Sequence, residues 1–168
     1  MTETDRPTLR LLTEYFYPEE TSTAQLLTQL AVGLTDEFDV SAVTGYPNYH
    51  EEDTETTPPS SEVHRGVSVQ RLRSTRFHKE HLPLRLLNWV SFTLLTCVHL
   101  LRRAEPNDDH LVLSNPPILP FATWIAKRVR GIGYTYLIYD MYPDMPVGLG
   151  YLPGDALPVR LWERAIRA

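Results

Sequence analysis

Leu9 to Leu34 reads LRLLTEYFYPEETSTAQLLTQLAVGL, and this stretch decides the fold class. Leu9, Leu11 and Leu12 build a short strand that is apolar on both faces, as a buried parallel strand requires. Tyr15-Phe16-Tyr17-Pro18 turns the chain at its end. Ser22 is placed to cap a helix, and Gln25 three residues later completes a capping-box pattern. Leu26, Leu27, Leu30, Ala31 and Leu34 then recur at helical spacing, a stripe suited to packing on a sheet. Strand, loop and helix in this order open a parallel α/β sheet. Its first strand is expected mid-sheet, with the following loop facing the crevice where such sheets bind ligands.

The pattern continues outward from there. Asp39 to Thr44 (DVSAVT) is a second β-prone run, so strand, helix and strand make one right-handed crossover. Glu51 to Glu62 (EEDTETTPPSSE) has two adjacent prolines, excess charge and no apolar periodicity, which predicts a mobile surface loop. Val67 to Leu72 alternates Val67 and Val69 with Ser68 and Gln70, a pattern suited to an edge strand. Leu82 to Leu101 is a long apolar helix. Pro83, Arg85, Asn88 and His99 argue against its spanning a bilayer. Burial as a core helix is the primary expectation, and peripheral membrane contact beside the neighbouring arginines is the alternative. His110 to Ser114, Ile118 to Arg130 and Tyr134 to Tyr139 add strand, helix and strand. A Gly- and Pro-rich loop then leads to a helix from Pro158. The predicted architecture is a single-domain, Rossmann-like open parallel sheet over residues 1–168, with helices on both faces.

The 168 residues suffice for one domain with a substantial core. Asp and Glu total 21 against 16 Lys and Arg, a formal charge of −5, which argues against a general nucleic-acid binder. The charge is uneven: the acidic loop is followed by Arg71, Arg73, Arg76 and Lys79, a basic segment that can mark an interaction face. Cys97, the single cysteine, sits among Phe92, Leu94, Leu95 and Val98, and is read as a packed thiol. One cysteine and no charged-then-apolar leader predict a reducing cytosolic setting.

Several chemistries lack their motifs. No G-x-G-x-x-G follows the first strand, and neither a G-x-x-x-x-G-K-[ST] phosphate loop nor a G-x-S-x-G nucleophile elbow is present. His78 and His81 are three apart but lack a third ligand, so no metal site is expected. What remains is a set of loops at the carboxyl ends of strands, which in an open α/β sheet face one crevice. They bring Glu14, Tyr17, Asn48, Tyr49, Asn115, Asp140 and Asp144 towards each other. Hydroxyls, amides, carboxylates and aromatic rings in this mixture suit sugars, whose hydroxyls need hydrogen-bond partners and whose apolar faces need rings. Asp140, directly after an apolar strand, is the leading polar candidate; a carboxylate capping a turn is the alternative reading.

At these loops the chain resembles the amino-terminal domain of family-4 glycosyltransferases of the GT-B fold, particularly those that build surface polysaccharides. The resemblance rests on YFYPEETSTAQLLTQLA (Tyr15 to Ala31), VTGYPNYH (Val43 to His50), LSNPPILPFATWIAKRVRG (Leu113 to Gly131) and YDMYPDMPVGLG (Tyr139 to Gly150). It implies transfer of a sugar from a nucleotide-sugar donor to a glycan acceptor, often lipid-linked, at the inner face of the cell membrane. In such enzymes the amino-terminal half binds acceptor, while the carboxyl-terminal half binds the donor and carries a paired-glutamate motif that has no match here. The chain alone is therefore expected to bind no cofactor and to need a donor domain, either in the same polypeptide or as the second subunit of a split enzyme. A non-catalytic binding module is the alternative. By resemblance, Asp140 and Asp144 take the catalytic positions. Glu14, Tyr17, Thr21, Ser22, Asn48, Tyr49 and Asn115 line the acceptor cleft, and Arg71, Arg73, Arg76 and Lys79 meet the membrane or the acceptor phosphate. Glu20-Thr21-Ser22 stand where relatives commonly have glycine, so the first loop is not expected to cradle a donor phosphate by itself.

Overall fold

A computed structural model describes residues 6–47, 57–77, 81–142, 144–150 and 153–166. Six strands form one sheet: β1 (Thr8–Leu12), β2 (Asp39–Gly45), β3 (Ser61–His64), β4 (Val67–Leu72), β5 (Asp109–Leu113) and β6 (Thr135–Leu137). Their spatial order is β3-β4-β2-β1-β5-β6, and every pairing is parallel except that of β3 with β4. β1 pairs with β2 on one side and β5 on the other, so the first strand is central, as its two-faced apolar pattern predicts. The fold is the expected Rossmann-like open α/β sheet.

Helices cover both faces. On one side α1 (Ser22–Gly33) buries Ala24, Leu27 and Ala31 against Leu9, Leu11, Val40, Ala42, Val67 and Val69. On the other, α2 (Leu82–Arg103) and α3 (Leu119–Arg130) pack Phe92, Leu100, Leu119 and Ala122 on Leu12, Val43 and Val112. Alternate residues of β1 thus enter opposite cores, with Leu11 and Leu12 both essentially water-free. Each buried leucine contributes about 1.5–3 kcal/mol. The chain ends with a short α4 (Asp144–Gly148) and α5 (Leu157–Ile166).

Four expectations need correction. β4 is not an edge strand, because it pairs with the antiparallel β3, whose Ser61 and Glu62 fall within the loop expected over Glu51 to Glu62. The hairpin between them turns at Arg65 (φ 48°) and Gly66 (φ 89°). Two successive positive φ values define the turn whose twist matches paired strands. Residues 51–56 of the acidic loop lie outside the described residues. The cap of α1 is Thr21, not Ser22: its hydroxyl accepts from the Ala24 N–H at 3.3 Å, while Gln25 Nε2 donates to the Glu20 carbonyl at 3.0 Å. Leu26 and Leu30 of the α1 stripe are exposed at 53% and 39%, since the smaller Ala24 and Ala31 let the helix seat closely on Leu27 instead.

The fourth correction concerns α2, which is not a buried core helix. Its inward face carries Asn88, Thr93, Thr96 and His99 alongside Phe92 and Leu100, whereas Leu87, Val90, Leu94 and Val98 point to solvent. Asn88 explains part of this inversion. Its side chain accepts from the Phe77 N–H at 3.0 Å and donates to the Phe77 carbonyl at 2.9 Å, pinning the loop before the helix. Ser91 adds a bond to the Thr75 N–H at 3.0 Å. The apolar residues run all round this helix, so local pins select which of them face inward.

Candidate functional site at the carboxyl edge of the sheet

The chain moves from β1 to β2 and β4 in one direction, then returns to β5 and β6 on the other side of β1. The strand order reverses between β1 and β5, and ligands of open α/β sheets bind in the crevice at such a reversal. Glu14 stands at this point. Its N–H donates to the Asn115 carbonyl at 3.4 Å, and its own carbonyl accepts from the Gly45 N–H at 3.1 Å and the Thr44 hydroxyl at 3.0 Å. One residue therefore ties the loops after β1, β2 and β5 into a single floor. A side chain at Gly45 would place a Cβ 3.1 Å from that same Glu14 carbonyl, so glycine permits the approach. Both flanking loops carry cis prolines, at Tyr17-Pro18 and Asn115-Pro116.

Ser114 fixes the next wall. It is fully buried, its N–H donates to the Leu137 carbonyl at 3.1 Å, and its Oγ accepts from the backbone N–H groups of Tyr139 and Asp140 at 2.9 and 3.0 Å. The chain leaving β6 is thereby held beside the β5 loop, with Asp140 exposed and Asn115 half-buried next to it. Asp140 is felt below: burial first, and then the Asp140 charge, push the Tyr136 hydroxyl upward from its ordinary range. Asp144 opens α4 and is exposed. Trp162 of α5 closes the far end by donating from Nε1 to the Pro117 carbonyl at 2.8 Å and stacking on Tyr142 at 5.6 Å.

The edge of β4 supplies a second part of the same rim. β2 and β4 end in register, Gly45 opposite Leu72, so Tyr46 and the segment Arg73 to Arg76 leave adjacent strand ends. They enclose a cavity of about 280 Å³ lined by Tyr46, Thr57, Arg73, Ser74 and Arg76, with the Arg76 guanidinium 5.7 Å from the Tyr46 ring centre. Two guanidinium groups and three hydroxyl-bearing residues around one hollow suit an oxyanion, since arginine offers fixed forks of N–H donors to phosphate or carboxylate.

The predicted residues separate into four groups. Glu14, Asn115, Asp140 and Asp144 share the carboxyl edge at β1, β5 and β6, while Arg73 and Arg76 meet at the β2–β4 end. Asn48, Tyr49 and Lys79 lie outside the described residues. Thr21, Ser22, Tyr17 and Arg71 serve local structure: Thr21 caps α1, Ser22 is its exposed first residue, and Tyr17 stacks on His64 with ring centres 3.6 Å apart. Arg71 differs most from the surface position expected of it. Its side chain is wholly buried, donating to the Tyr17 carbonyl at 2.7 Å and the Pro59 carbonyl at 2.8 Å and pairing with Glu62 at 2.5 Å.

Sequence reasoning missed Ser114, Gly45 and Tyr46. The signal for Tyr46 is the common end point of β2 and β4; the role of Ser114 depends on the β5–β6 register, which no local motif announces. Cys97 is half-buried, and burial pushes its thiol upward, away from the thiolate that a nucleophile needs. No protein-family model matches the sequence, and comparison with curated proteins and with solved structures gives no significant match.

Proposed function

We propose that this chain is the acceptor-binding half of a glycosyltransferase that moves a sugar from a nucleotide-sugar donor to a lipid-linked glycan acceptor. The observation that carries the reading is the joined rim. Asn115 and Asp140 stand at the strand-order reversal, Asn115 held by the Glu14 N–H and Asp140 by the Ser114 hydroxyl, with the Arg73–Arg76 hollow on the same edge. Asn115 and Asp140 offer an amide and a carboxylate to sugar hydroxyls, and Tyr139, half exposed, offers a ring face. Asp140 accepts the hydrogen bond of the attacking hydroxyl and orients it, and Asp144 stands four residues later at the start of α4. Arg73 and Arg76 hold the phosphate that joins the acceptor sugar to its lipid. The donor, and stabilisation of charge on its leaving phosphate, fall to a second domain, whether in the same polypeptide or in a partner subunit. Leu157 and Leu161 of α5, exposed at 68% and 47%, favour a partner that packs against this end of the molecule.

Calorimetry with a short-chain polyprenyl-diphosphate sugar tests the reading. Binding is expected for the purified chain and is weakened at least tenfold by Asp140→Asn or by Arg73→Gln with Arg76→Gln, while nucleotide sugars bind weakly and no transfer is detected. Tight binding of a nucleotide sugar, or turnover by this chain alone, overturns it.

A further inference from the structure

Helix α2 is turned inside out relative to a helix of a water-soluble sheet domain. Pro83, Leu87, Val90, Leu94 and Val98 recur at three- and four-residue steps on its outer side, continued by the half-buried Leu101, and only 28% of an 18-residue apolar stretch within Pro83–Arg103 is buried. At 1.5 Å per residue, this stripe runs about 27 Å without a charged side chain. Leu94 is 60% exposed and Leu87 51%. Exposed apolar stripes of this extent mark a surface that something else covers.

Charge identifies what covers it. The whole chain is net acidic at −5, yet α2 and α3, packed side by side on this face, contain no Asp or Glu. They carry Arg85, Arg102 and Arg103 on α2, and Lys127, Arg128 and Arg130 on α3. Arg102 and Arg103 lie in the last turn of α2, at one end of the stripe, and α3 adds exposed Ile125 and Val129. A second copy of the same face would bring like charges together, which disfavours self-association. An apolar stripe with cationic ends and no acidic residue fits an anionic bilayer, where apolar side chains enter the acyl boundary and arginines meet lipid phosphates.

We infer that the α2–α3 layer is a monotopic membrane-docking face, with α2 lying in the plane of an anionic lipid surface. The helix does not cross the bilayer, because Phe92 and Leu100 anchor it to the sheet and Asn88 ties it to the preceding loop. Thr75 and Phe77, beside the Arg73–Arg76 hollow, hydrogen-bond Ser91 and Asn88 of α2, so docking brings that hollow to the headgroup layer. The inference stands on the exposed face and its charge, and holds whether or not the chain takes part in sugar transfer.

Flotation of the purified chain with phosphatidylcholine vesicles, with and without phosphatidylglycerol, tests it. Binding is expected on the anionic vesicles, and raised salt weakens it. Leu94→Glu with Val98→Glu abolishes binding at unchanged melting temperature. Leu26→Glu with Leu30→Glu, an exposed apolar pair on the opposite face, leaves it unchanged. Arg102→Gln with Arg103→Gln lowers anionic partitioning about tenfold or more, each basic side chain near such a surface counting for roughly fivefold. Failure to float with anionic vesicles overturns the inference, as does equal loss in both apolar pair variants. A wild-type dimer that Leu94→Glu with Val98→Glu converts to monomer also overturns it, because a second copy then covers the face. Should that variant unfold, unchanged partitioning of the arginine pair variant overturns the inference on its own.

Discussion

At the scale of single residues, Arg71 shows how a charged side chain can be misjudged from its neighbourhood in the sequence. It sits in a run with Arg73, Arg76 and Lys79, and the one signal that its guanidinium turns inward is its place on the strand face of Val67 and Val69. The structure uses it as a clamp: one fork holds the Tyr17 and Pro59 carbonyls and the Glu62 carboxylate, joining the loop after β1 to the β3–β4 hairpin. Removing one partner of a buried charge pair leaves carbonyls and a carboxylate without their donor, which is far costlier than losing a surface pair. Arg71→Met is therefore expected to destabilise by about 3 kcal/mol, near the lower end for buried pairs because Glu62 keeps partial contact with water. Arg73→Gln changes stability by less than about 0.5 kcal/mol. Urea denaturation of the two variants checks the contrast; equal midpoints for both contradict the clamp.

At the scale of elements, the contact between α2 and β5 carries a pH dependence. His99 of α2 and His110 of β5 are both buried. Burial, and then the positive charges of Arg10 and Arg103 and the His110 ring, hold His99 down at about 4. Burial also lowers His110, against opposing pulls from Asp108 and the Gly133 carbonyl, the latter 3.2 Å from Nδ1. Both rings are neutral in the folded protein at pH 7. The unfolded chain, whose histidines titrate near 6.5, binds protons that the folded chain refuses as pH falls. The stabilisation is complete above pH 6.5 and drains away as the pH drops towards 4. Melting temperature is expected to fall between pH 7 and pH 5, with His99→Gln flattening that slope. A slope unaltered by this substitution removes His99 from the account. The element also explains where pattern reading reached its limit: α2 is legible as a helix from length and its cationic last turn, but apolar side chains on all sides leave its inward face undetermined. That face is set by Asn88 and Ser91, whose partners lie in a preceding loop.

At the scale of the whole molecule, the sheet is readable because β1, β2 and β5 carry apolar residues on both faces, as the neighbouring pairs Leu11 and Leu12, Ala42 and Val43, and Val112 and Leu113 show, and α1 and α3 keep helical spacing between them. The crevice followed from that order, placing Asp140 and Asn115 correctly on the carboxyl edge. What escaped was whatever depends on pairing across the sheet: the hydroxyl of Ser114 reaching the end of β6, the close approach at Gly45, and the antiparallel return of β3. β3 alternates exposed and half-buried residues over only Ser61–His64, so it buries too little to leave a pattern.

That four-residue strand has a consequence for how the protein behaves at high concentration. An open sheet ends in unpaired N–H and C=O groups, a template on which another chain can assemble. Here both rims are the shortest strands of the sheet, β3 with four residues and β6 with three, while the six-residue β4 with its buried Val67 and Val69 is shielded. Deleting residues 57–64 strips that guard and exposes a longer, flatter, more apolar rim. The shortened chain is expected to scatter light and form thioflavin-positive aggregates at concentrations where the intact protein stays clear. β3 contributes little to the core and much to keeping neighbouring molecules apart.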